Sequence, residues 1–446
     1  MNRLKESMKL FFIPAALFLT ISAVAQQPRK LTLNEAINLA VASSGQLKYS
    51  GAKVKEAVAA VRETKEKQLP NVSVSGSHIR LNNPNIDLKV KQNNTNPPSE
   101  PVGKVSSATY GLLNVSLPLY NGSKIKYGIE SATYLAEAAK LDAEDNRDEI
   151  ILNAINAFDN LYKSKEAVVL VKENLGSATE RVKQFTSLEK NGIIPRNDLL
   201  KAELQSSNIE LSLMDAENNW KLANINMDLL LGIADSTELD PDISSLPPQD
   251  KLKGVDEMIQ SAMQYRKDLA SLQLKKKAAG IGIKLAKSEL YPSLSLTGGY
   301  IAATIPNLLT VTNAVNIGLG VQYNLASLWK NNSKVEQAEA REIQLQANEG
   351  LLSDAIRLQV HQAYLDYTLS IKKIDTYKNA VDQAEENYKI VKNKYDNSLA
   401  TTTDLLDADV AQLQTRLNYA FSRADASASY SRLLKSAGML SAQVKK

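Results

Sequence analysis

The sequence predicts a mostly α-helical chain with two pairs of β-strands of membrane-spanning length, arranged as a duplicated helix-strand-strand-long helix-helix unit. Three observations in its 446 residues predict this class. The chain matches itself at a fixed offset, its longest helical segments carry a coiled-coil pattern without proline, and four short segments alternate apolar with polar residues. Because the duplication runs through nearly all of the chain, we expect one architecture rather than a series of separate globular domains.

The duplication is clearest after the strands of each copy. The tripeptide Asp-Leu-Leu at 198–200 returns at 404–406, and no gap is needed between the matching points. A second offset aligns the segments before and within the first strands. It differs because the first copy has a longer loop, rich in Asn and Pro, at about 81–105. Further pairs at the first offset are Phe158 with Tyr364, Asn191 with Asn397, Ala202 with Ala408 and Gly232 with Gly438.

We therefore expect two repeats between a leader and a short basic tail. The expected boundaries are 1–25 for a signal peptide, 26–235 for the first repeat, 236–440 for the second and 441–446 for the tail. The expected strands are at about 70–80, 109–120, 292–302 and 314–325, and the expected helical hairpins are at 123–232 and 328–438.

Each long helix is predicted to fold back on a second helix. Close to 70 residues without proline, from about 123 to 191 and from about 328 to 397, correspond to helices on the order of 100 Å long. The flanking segments at about 34–68 and 197–231 are roughly half that length, so two of them stacked end to end match one long helix. The pattern predicts a long cylinder of helices. The coiled-coil seam of the second long helix comprises Ile374, Tyr377, Val381, Ala384, Tyr388, Val391 and Tyr395.

The strand segments change to a period of two. Val315, Ile317 and Leu319 alternate with polar or small residues, and about ten alternating residues is the length of a tilted membrane strand. Four strands cannot close a transmembrane barrel, since the smallest have eight, and open edges in lipid leave backbone groups unpaired at several kcal/mol each. We therefore expect several chains to share one barrel. A soluble four-stranded sheet against helices is the alternative.

The first residues predict export. Arg3, Lys5 and Lys9 precede an apolar run at 10–24, and Ala23-Val24-Ala25 supplies the small residues that a signal peptidase needs. A membrane anchor is the alternative, but the run is shorter than the roughly 20 residues that span a bilayer. Without the leader the formal net charge falls from +4 to +2, because three cationic side chains and one anionic side chain leave with it. So small a surplus argues against nucleic acid.

The inventory of reactive side chains predicts that the chain is not an enzyme. It has no cysteine, and its two histidines, His78 and His361, lie far apart. Gly280-Ile281-Gly282 falls within a helical stretch without a preceding strand, so it does not indicate a phosphate loop. We expect no cofactor and no metal.

Around the two hairpin turns the chain resembles the TolC-like outer-membrane efflux protein family (outer membrane factors). The matching segments are Asn-Gly-Ile-Ile-Pro-Arg-Asn-Asp-Leu-Leu at 191–200 and Asn-Ser-Leu-Ala-Thr-Thr-Thr-Asp-Leu-Leu-Asp-Ala at 397–408. The resemblance covers essentially the whole mature chain. It implies a homotrimer in the bacterial outer membrane, with a trimeric α-helical barrel reaching into the periplasm and joined to a shared 12-stranded β-barrel.

The resemblance also implies a function and partners. It implies the passive exit duct of a tripartite efflux or type I secretion system, which carries small molecules from the periplasm and pump to the exterior. The implied partners are a periplasmic membrane-fusion adaptor, an inner-membrane pump and outer-membrane lipid. The alternative function is a periplasmic coiled-coil adaptor or scaffold without membrane strands.

Three sets of residues follow from the resemblance. Asp404 and Asp407 match acidic positions that line the periplasmic entrance, although acidic residues here also offset the helix dipole. Asp198 and Tyr395 match positions that hydrogen-bond between neighbouring hairpins and close the entrance; Tyr395 also ends the heptad seam, and packing alone is the alternative. The adaptor-docking turns match Gly192, Ile193, Ile194, Pro195, Ser398, Leu399, Ala400 and Thr401.

Two of these positions depart from the family pattern. Ala400 stands where some members carry an arginine of the gating network, and Ser398 replaces an expected glycine. The apolar turn residues have a second interpretation, because a helical hairpin also uses such residues to staple its ends. The first repeat has Asp198 and Lys201 where the second has Asp404 and Asp407, so the two turns are not equivalent.

Overall fold

The computed structural model describes residues 28–82, 84, 105–242 and 254–441, and within them the chain is mostly helical. The expected signal peptide, most of the long loop and all but the first residue of the tail lie outside these residues. The strands are β1 (Arg29–Thr32), β2 (Asn71–Arg80), β3 (Ser107–Asn121), β4 (Leu239–Asp242), β5 (Ser293–Ile305) and β6 (Leu309–Gln322). The helices are α1 (Leu33–Ser43), α2 (Gly45–Glu66), α3 (Lys124–Lys190), α4 (Arg196–Leu231), α5 (Val255–Tyr265), α6 (Lys267–Ser288), α7 (Ser327–Lys330), α8 (Asn332–Asp396) and α9 (Thr402–Ser436).

Four antiparallel strands form one sheet in the order β2-β3-β5-β6. Each pair of strands is a hairpin, and β3 pairs with β5 to join the two hairpins. In the described chain β2 and β6 each have a neighbour on one side only. Val74 and Ile317 are each 81% exposed, so the apolar side of the sheet is not covered by helices. This exposure does not fit a soluble sheet packed against helices.

The strand ends differ from the alternation pattern at β6. The pattern continues through Tyr323 and Leu325, whereas the strand ends at Gln322. Asn324 accounts for the end, because its backbone oxygen accepts the backbone N–H of Ser327 at 3.0 Å and its side chain accepts that of Ala326 at 3.2 Å. The strand therefore ends three residues before the alternation does, and the chain turns toward α7.

The helices stand side by side in one row, which follows the order of the strands that they continue. On the strand side the order is α2-α3-α6-α8, and on the side of the hairpin turns it is α4-α3-α9-α8. The long helices α3 and α8 run through both halves of the row. The shorter helices α2 and α4 together occupy the position beside α3, one in each half. In the same way, α6 and α9 together occupy the position between α3 and α8. Among the described residues, no helix is both long and apolar enough to cross a membrane.

The single helix expected at about 34–68 is divided at Ser44. Ser44 has extended backbone (φ −57°, ψ 116°), and its hydroxyl accepts the backbone N–H of Leu47 at 3.2 Å. The second repeat divides at the matching residue, Arg266, between α5 and α6. The break allows α1 to pack on α3 and α4, while α2 alone continues the row. A smaller break at Asn331 separates α7 from α8, so the second long helix begins a few residues after the expected start.

Two glycines allow the ends of the hairpins to pack closely against these breaks. Gly232 after α4 and Gly438 after α9 have φ of +68° and +72°, the left-handed region that glycine adopts without strain. A Cβ atom at Gly232 would lie 2.7 Å from that of Ser43, and one at Gly438 would lie 2.9 Å from the backbone N of Arg266. The close approach explains why both glycines recur at the offset of the duplication.

The main hydrophobic core lies midway along the row, where the breaks and the helix ends meet. A parallel pair of short strands, β1 with β4, and the helices α1 and α5 cover the row there. The sequence pattern did not predict this two-stranded sheet. The largest fully buried side chains of the core are Phe158, Ile151, Leu161, Met227, Ile356, Val360, Leu433 and Leu440, with Leu31 and Leu239 from the short strands.

The two hairpin turns have the same backbone geometry despite different residues. Gly192 and Ser398 follow α3 and α8 with φ of +71° and +59°. The next residue in each turn closes a six-residue ring: Ile193 donates its N–H to the oxygen of Leu188 at 2.9 Å, and Leu399 to that of Lys394 at 2.7 Å. Ser398 therefore occupies a conformation that disfavours a Cβ atom.

We expect Ser398→Gly to raise the free energy of unfolding by about 1 kcal/mol, because glycine removes most of the left-handed penalty. Thermal unfolding of the detergent-purified protein, followed by circular dichroism, measures the effect. Gly192→Ser is the matched variant and should lower stability by a similar amount. Equal stability of Ser398→Gly and the parent protein would contradict the assignment of strain to this turn.

Candidate functional site at the hairpin turns

The two turns lie side by side at one end of the row, held by a small apolar cluster. We call this the tip cluster; its buried members are Phe185, Leu199, Ala202 and Leu405. Leu405 comes from the second hairpin and the other three from the first. Tyr395 and Ile194 pack at its edge. The cluster therefore fixes the turns of the two hairpins relative to each other within one chain.

Asp404 caps the first turn of α9. The side-chain oxygen of Thr401 accepts the N–H of Asp404 at 3.2 Å, and Oδ2 of Asp404 accepts the backbone N–H and the hydroxyl of Thr401 at 2.8 and 2.7 Å. These hydrogen bonds, the backbone one first, hold the pKa of Asp404 below its ordinary value. Asp407 lies one turn later and is also exposed. The cap is a local reason for an acidic residue at position 404. It uses Oδ2 of Asp404, so Oδ1 takes no part in these hydrogen bonds.

Asp198 and Tyr395 take separate partners within the chain. Asp198 lies 3.5 Å from Nζ of Lys201, one turn along α4. The ring of Tyr395 stacks on Phe185 with centroids 5.5 Å apart and planes 18° apart. Its hydroxyl is buried and has no hydrogen-bond partner in the described chain. The chain alone therefore does not join Asp198 to Tyr395.

The neighbouring positions give no replacement for the arginine expected at Ala400. Arg196 lies 3.7 Å from Glu189 of its own hairpin, with most of its side chain exposed. Ala400 is half-buried. Lys201 instead connects the two hairpins, because its Nζ donates to Oγ1 of Thr403 at 3.2 Å.

The residues of the turns divide into packed and exposed ones. Ile194 packs against the tip cluster, as a stapling residue would. Ile193 and Leu399 are 67% and 76% exposed and contribute nothing to that packing. Gly192, Pro195, Ser398 and Thr401 are exposed as well, and Pro195 and Thr401 are the residues from which α4 and α9 begin.

Sequence reasoning missed a buried ion pair above the tip cluster. Arg181 of α3 and Asp409 of α9 are 3.1 Å apart, and their side chains are 7% and 3% exposed. Burial alone would lower the pKa of Arg181, but the hydrogen bonds and charge of Asp409 outweigh it and raise the pKa. Arg181 directly precedes Val182, which packs against the tip cluster, and its position in the sequence does not reveal its partner.

The described residues contain no group of acidic and histidine side chains arranged to hold a metal ion. At the hairpin turns, the surface consists of exposed carboxylates and exposed apolar residues, with a buried polar network behind them. Such a surface suits contact with ions or with another protein.

Comparisons with known proteins agree with this arrangement. The model of the family described as outer membrane efflux protein matches residues 36–233 and 258–439. The outer membrane protein TolC of Salmonella enteritidis is 20% identical over 410 residues, which cover 89% of this chain and 79% of that protein. The outer membrane efflux protein BepC of Brucella suis is 19% identical, with 71% and 70% covered.

A solved structure extends the likeness to the fold. The outer membrane protein VceC of Vibrio cholerae superposes with a TM-score of 0.75 at 18% identity, covering 91% of this chain and 96% of that one. The resemblance drawn from the hairpin motifs is confirmed by the family match across both repeats. The chain therefore belongs to the outer membrane efflux protein family, and its location is the outer membrane with the adjoining periplasm.

Proposed function

We propose that three copies of this chain form the passive exit duct of a tripartite efflux or type I secretion system, carrying small molecules from the periplasm to the exterior. Efflux through the outer membrane is the general role of the family. The observation that carries the finer proposal is an unpartnered apolar seam at each end of the helical row. The scaffold alternative, without membrane strands, is not favoured.

The first seam lies on α4, at one end of the row. The buried residues of α4, such as Ala202, Ile209 and Ala216, form the helix face toward α3. The seam occupies the opposite face, half a turn away at 100° per residue. Its members are Leu204, Leu211, Leu222 and Leu229, which are 58% to 69% exposed.

The second seam lies on α8, at the other end of the row. Leu351, Leu358 and Leu365 follow one another at seven-residue spacing and are 65% to 69% exposed. Ile356 and Val360 on the opposite face are fully buried. A helix that is apolar on two opposite faces needs a partner on each, and the described residues supply a partner for only one of the two.

One seam and one sheet edge lie on each of two opposite sides of the chain. The α4 seam shares its end of the row with β2, and the α8 seam shares its end with β6. Different surfaces that pair head to tail generate a closed ring when the rotation from one copy to the next closes. The number three comes from the family resemblance, and three chains of four strands supply the 12-stranded barrel.

We expect Leu358→Lys to disrupt assembly, because a charge would be buried between chains without a partner. Size-exclusion chromatography with light scattering, on protein in detergent, measures the oligomer. Leu358→Met, which keeps an apolar side chain of similar volume, should assemble like the parent protein. A parent protein that is monomeric, or a Leu358→Lys variant that remains a trimer, would contradict the proposed seam.

At the turns, we propose that Asp404 and Asp407 form an anionic ring at the periplasmic entrance. Two exposed carboxylates in each chain, repeated around an axis, would concentrate cations and repel anions at the mouth. The lowered pKa of Asp404 supports the ring, because the carboxylate keeps its charge at neutral pH and loses it only below the ordinary range.

We expect Asp404→Asn combined with Asp407→Asn to reduce cation selectivity and block by multivalent cations in planar bilayers. Asp382→Asn with Glu385→Gln is the matched control. It removes the same charge from an exposed position and a half-buried position of α8, about 20 Å from the turn. Selectivity that is unchanged in the first variant, or equally reduced in the control, would remove the pair from the entrance.

We propose further that Asp198 and Tyr395 close the entrance between neighbouring hairpins, and that Ile193 and Leu399 contact a periplasmic adaptor fed by an inner-membrane pump. The buried hydroxyl of Tyr395 supports the first proposal, because an unpaired buried donor costs about 1–3 kcal/mol and favours a rearrangement that supplies an acceptor. The exposure of Ile193 and Leu399 supports the second, since the turns do not use them for packing.

A further inference from the structure

The four-stranded sheet has almost no charged side chains. In β2, β3, β5 and β6 as the structure describes them, Arg80 is the one aspartate, glutamate, lysine or arginine. It is the last residue of β2 and stands at an even spacing from the exposed Val74, so it belongs to the apolar face of the sheet. The helices differ sharply, because α8 carries charged residues along its whole length.

The register of the sheet shows which residues share the opposite face. Val74 belongs to the apolar face, so its neighbour Ser73 points to the other one. Ser73 pairs with Asn114 of β3. Asn114 pairs with Gly299 of β5, and Gly299 in turn pairs with Asn316 of β6. We call the face that carries this row the inner face, and its residues in the four described strands are uncharged.

Side chains of the inner face lie along the sheet. Oγ1 of Thr297 donates to the carbonyl oxygen of Gly318 on the neighbouring strand at 3.2 Å. A Cβ atom at Gly320 would lie 3.2 Å from Oγ of Ser295, so the serine side chain covers the glycine. A glycine on one strand thus leaves room for the side chain of the next, and neither projects far from the sheet. The polar groups of this face are therefore short, neutral dipoles.

The sheet is tall enough for its middle to lie beyond the reach of charges elsewhere. The apolar band of a tilted membrane sheet is about 25 Å tall. At physiological ionic strength a fixed charge is screened over about 8 Å. Asn114 and Asn316 lie near the middle of β3 and β6, so charges on the helices contribute little to the electrostatic potential there.

We propose that the pore through the shared sheet does not discriminate between cations and anions, and that the fixed charges that select ions lie in the helical part of the duct. The inference rests on the proposed trimeric duct, because only a closed ring makes the inner face the wall of a pore. Cargo of either charge, or of none, then meets one limit in the sheet, which is its width. Selection by charge is complete before the cargo reaches the membrane.

Single engineered cysteines test the proposal, because the chain has none of its own. Asn316→Cys places one thiol in each chain on the middle of the inner face. Mass spectrometry of protein in lipid vesicles gives its rates of reaction with a cationic and an anionic methanethiosulfonate reagent. The ratio of the two rates, divided by the same ratio for mercaptoethanol in the buffer, reports the local potential. We expect this normalised ratio to stay within about twofold of one.

Two further variants provide the comparison. Ala411→Cys places the thiol on an exposed position one turn after Asp407. There the cationic reagent should be favoured on the order of tenfold, because a carboxylate is close. Ile317→Cys places the thiol on the apolar face, and it should react slowly with both reagents, because lipid excludes them.

The outcomes separate this proposal from the one on which it rests. If the thiols at 316 and 317 react equally fast, the sheet does not enclose a pore in lipid, and the proposed duct falls together with the inference. If the thiol at 316 alone is accessible but strongly favours one reagent, the duct stands and the neutral pore is overturned. Equal normalised ratios at 316 and 411 would also overturn the inference, because charge selection would then not be confined to the helical part.

Discussion

The rest of the structure depends on the unpaired backbone of the two sheet edges. Among the residues that the structure describes, β2 and β6 each have a strand on one side only, and backbone groups left open in lipid cost several kcal/mol each. The helices pose a similar problem, because α4 and α8 at the two ends of the row carry apolar seams that nothing in the described part of the chain covers. The proposed head-to-tail contact between copies would answer both, since the seams and the edges lie on the same two sides of the chain.

The helix lengths within each repeat explain how a single chain forms a row in which every position is filled along its whole length. A long helix and two half-length helices occupy equal space only if the half-length ones meet end to end. That meeting requires α4 to end where α2 begins, and Gly232 against Ser43 shows how close the approach is. The second repeat solves the same problem with Gly438 against Arg266. The core lies at this level, because α1 and α5 are turned out of the row to cover it.

The sequence predicted the features that repeat and missed those that depend on single contacts. Matches such as Gly232 with Gly438 placed the hairpin ends. Alternation placed the strands to within five residues, the largest difference being the start of β6, at Leu309 rather than about 314. The break at Ser44 has a local signal, because Ser44 is a typical N-cap residue and Gly45 follows it, whereas no glycine or proline lies beside Arg266 to mark the second break. The Arg181–Asp409 pair is also hidden, because its partners are far apart in the chain and Asn387, which matches Arg181 in the duplication, carries no charge.

The most direct test of the account is an electron-microscopic image of detergent-purified particles. It should show three-fold symmetry about a closed cylinder of helices, on the order of 100 Å long, with each chain contributing one third of the wall. The α4 face of one chain should meet the α8 face of the next. Particles that are single chains, or assemblies in which those two faces remain open to solvent, would contradict the claim that each copy completes its neighbour.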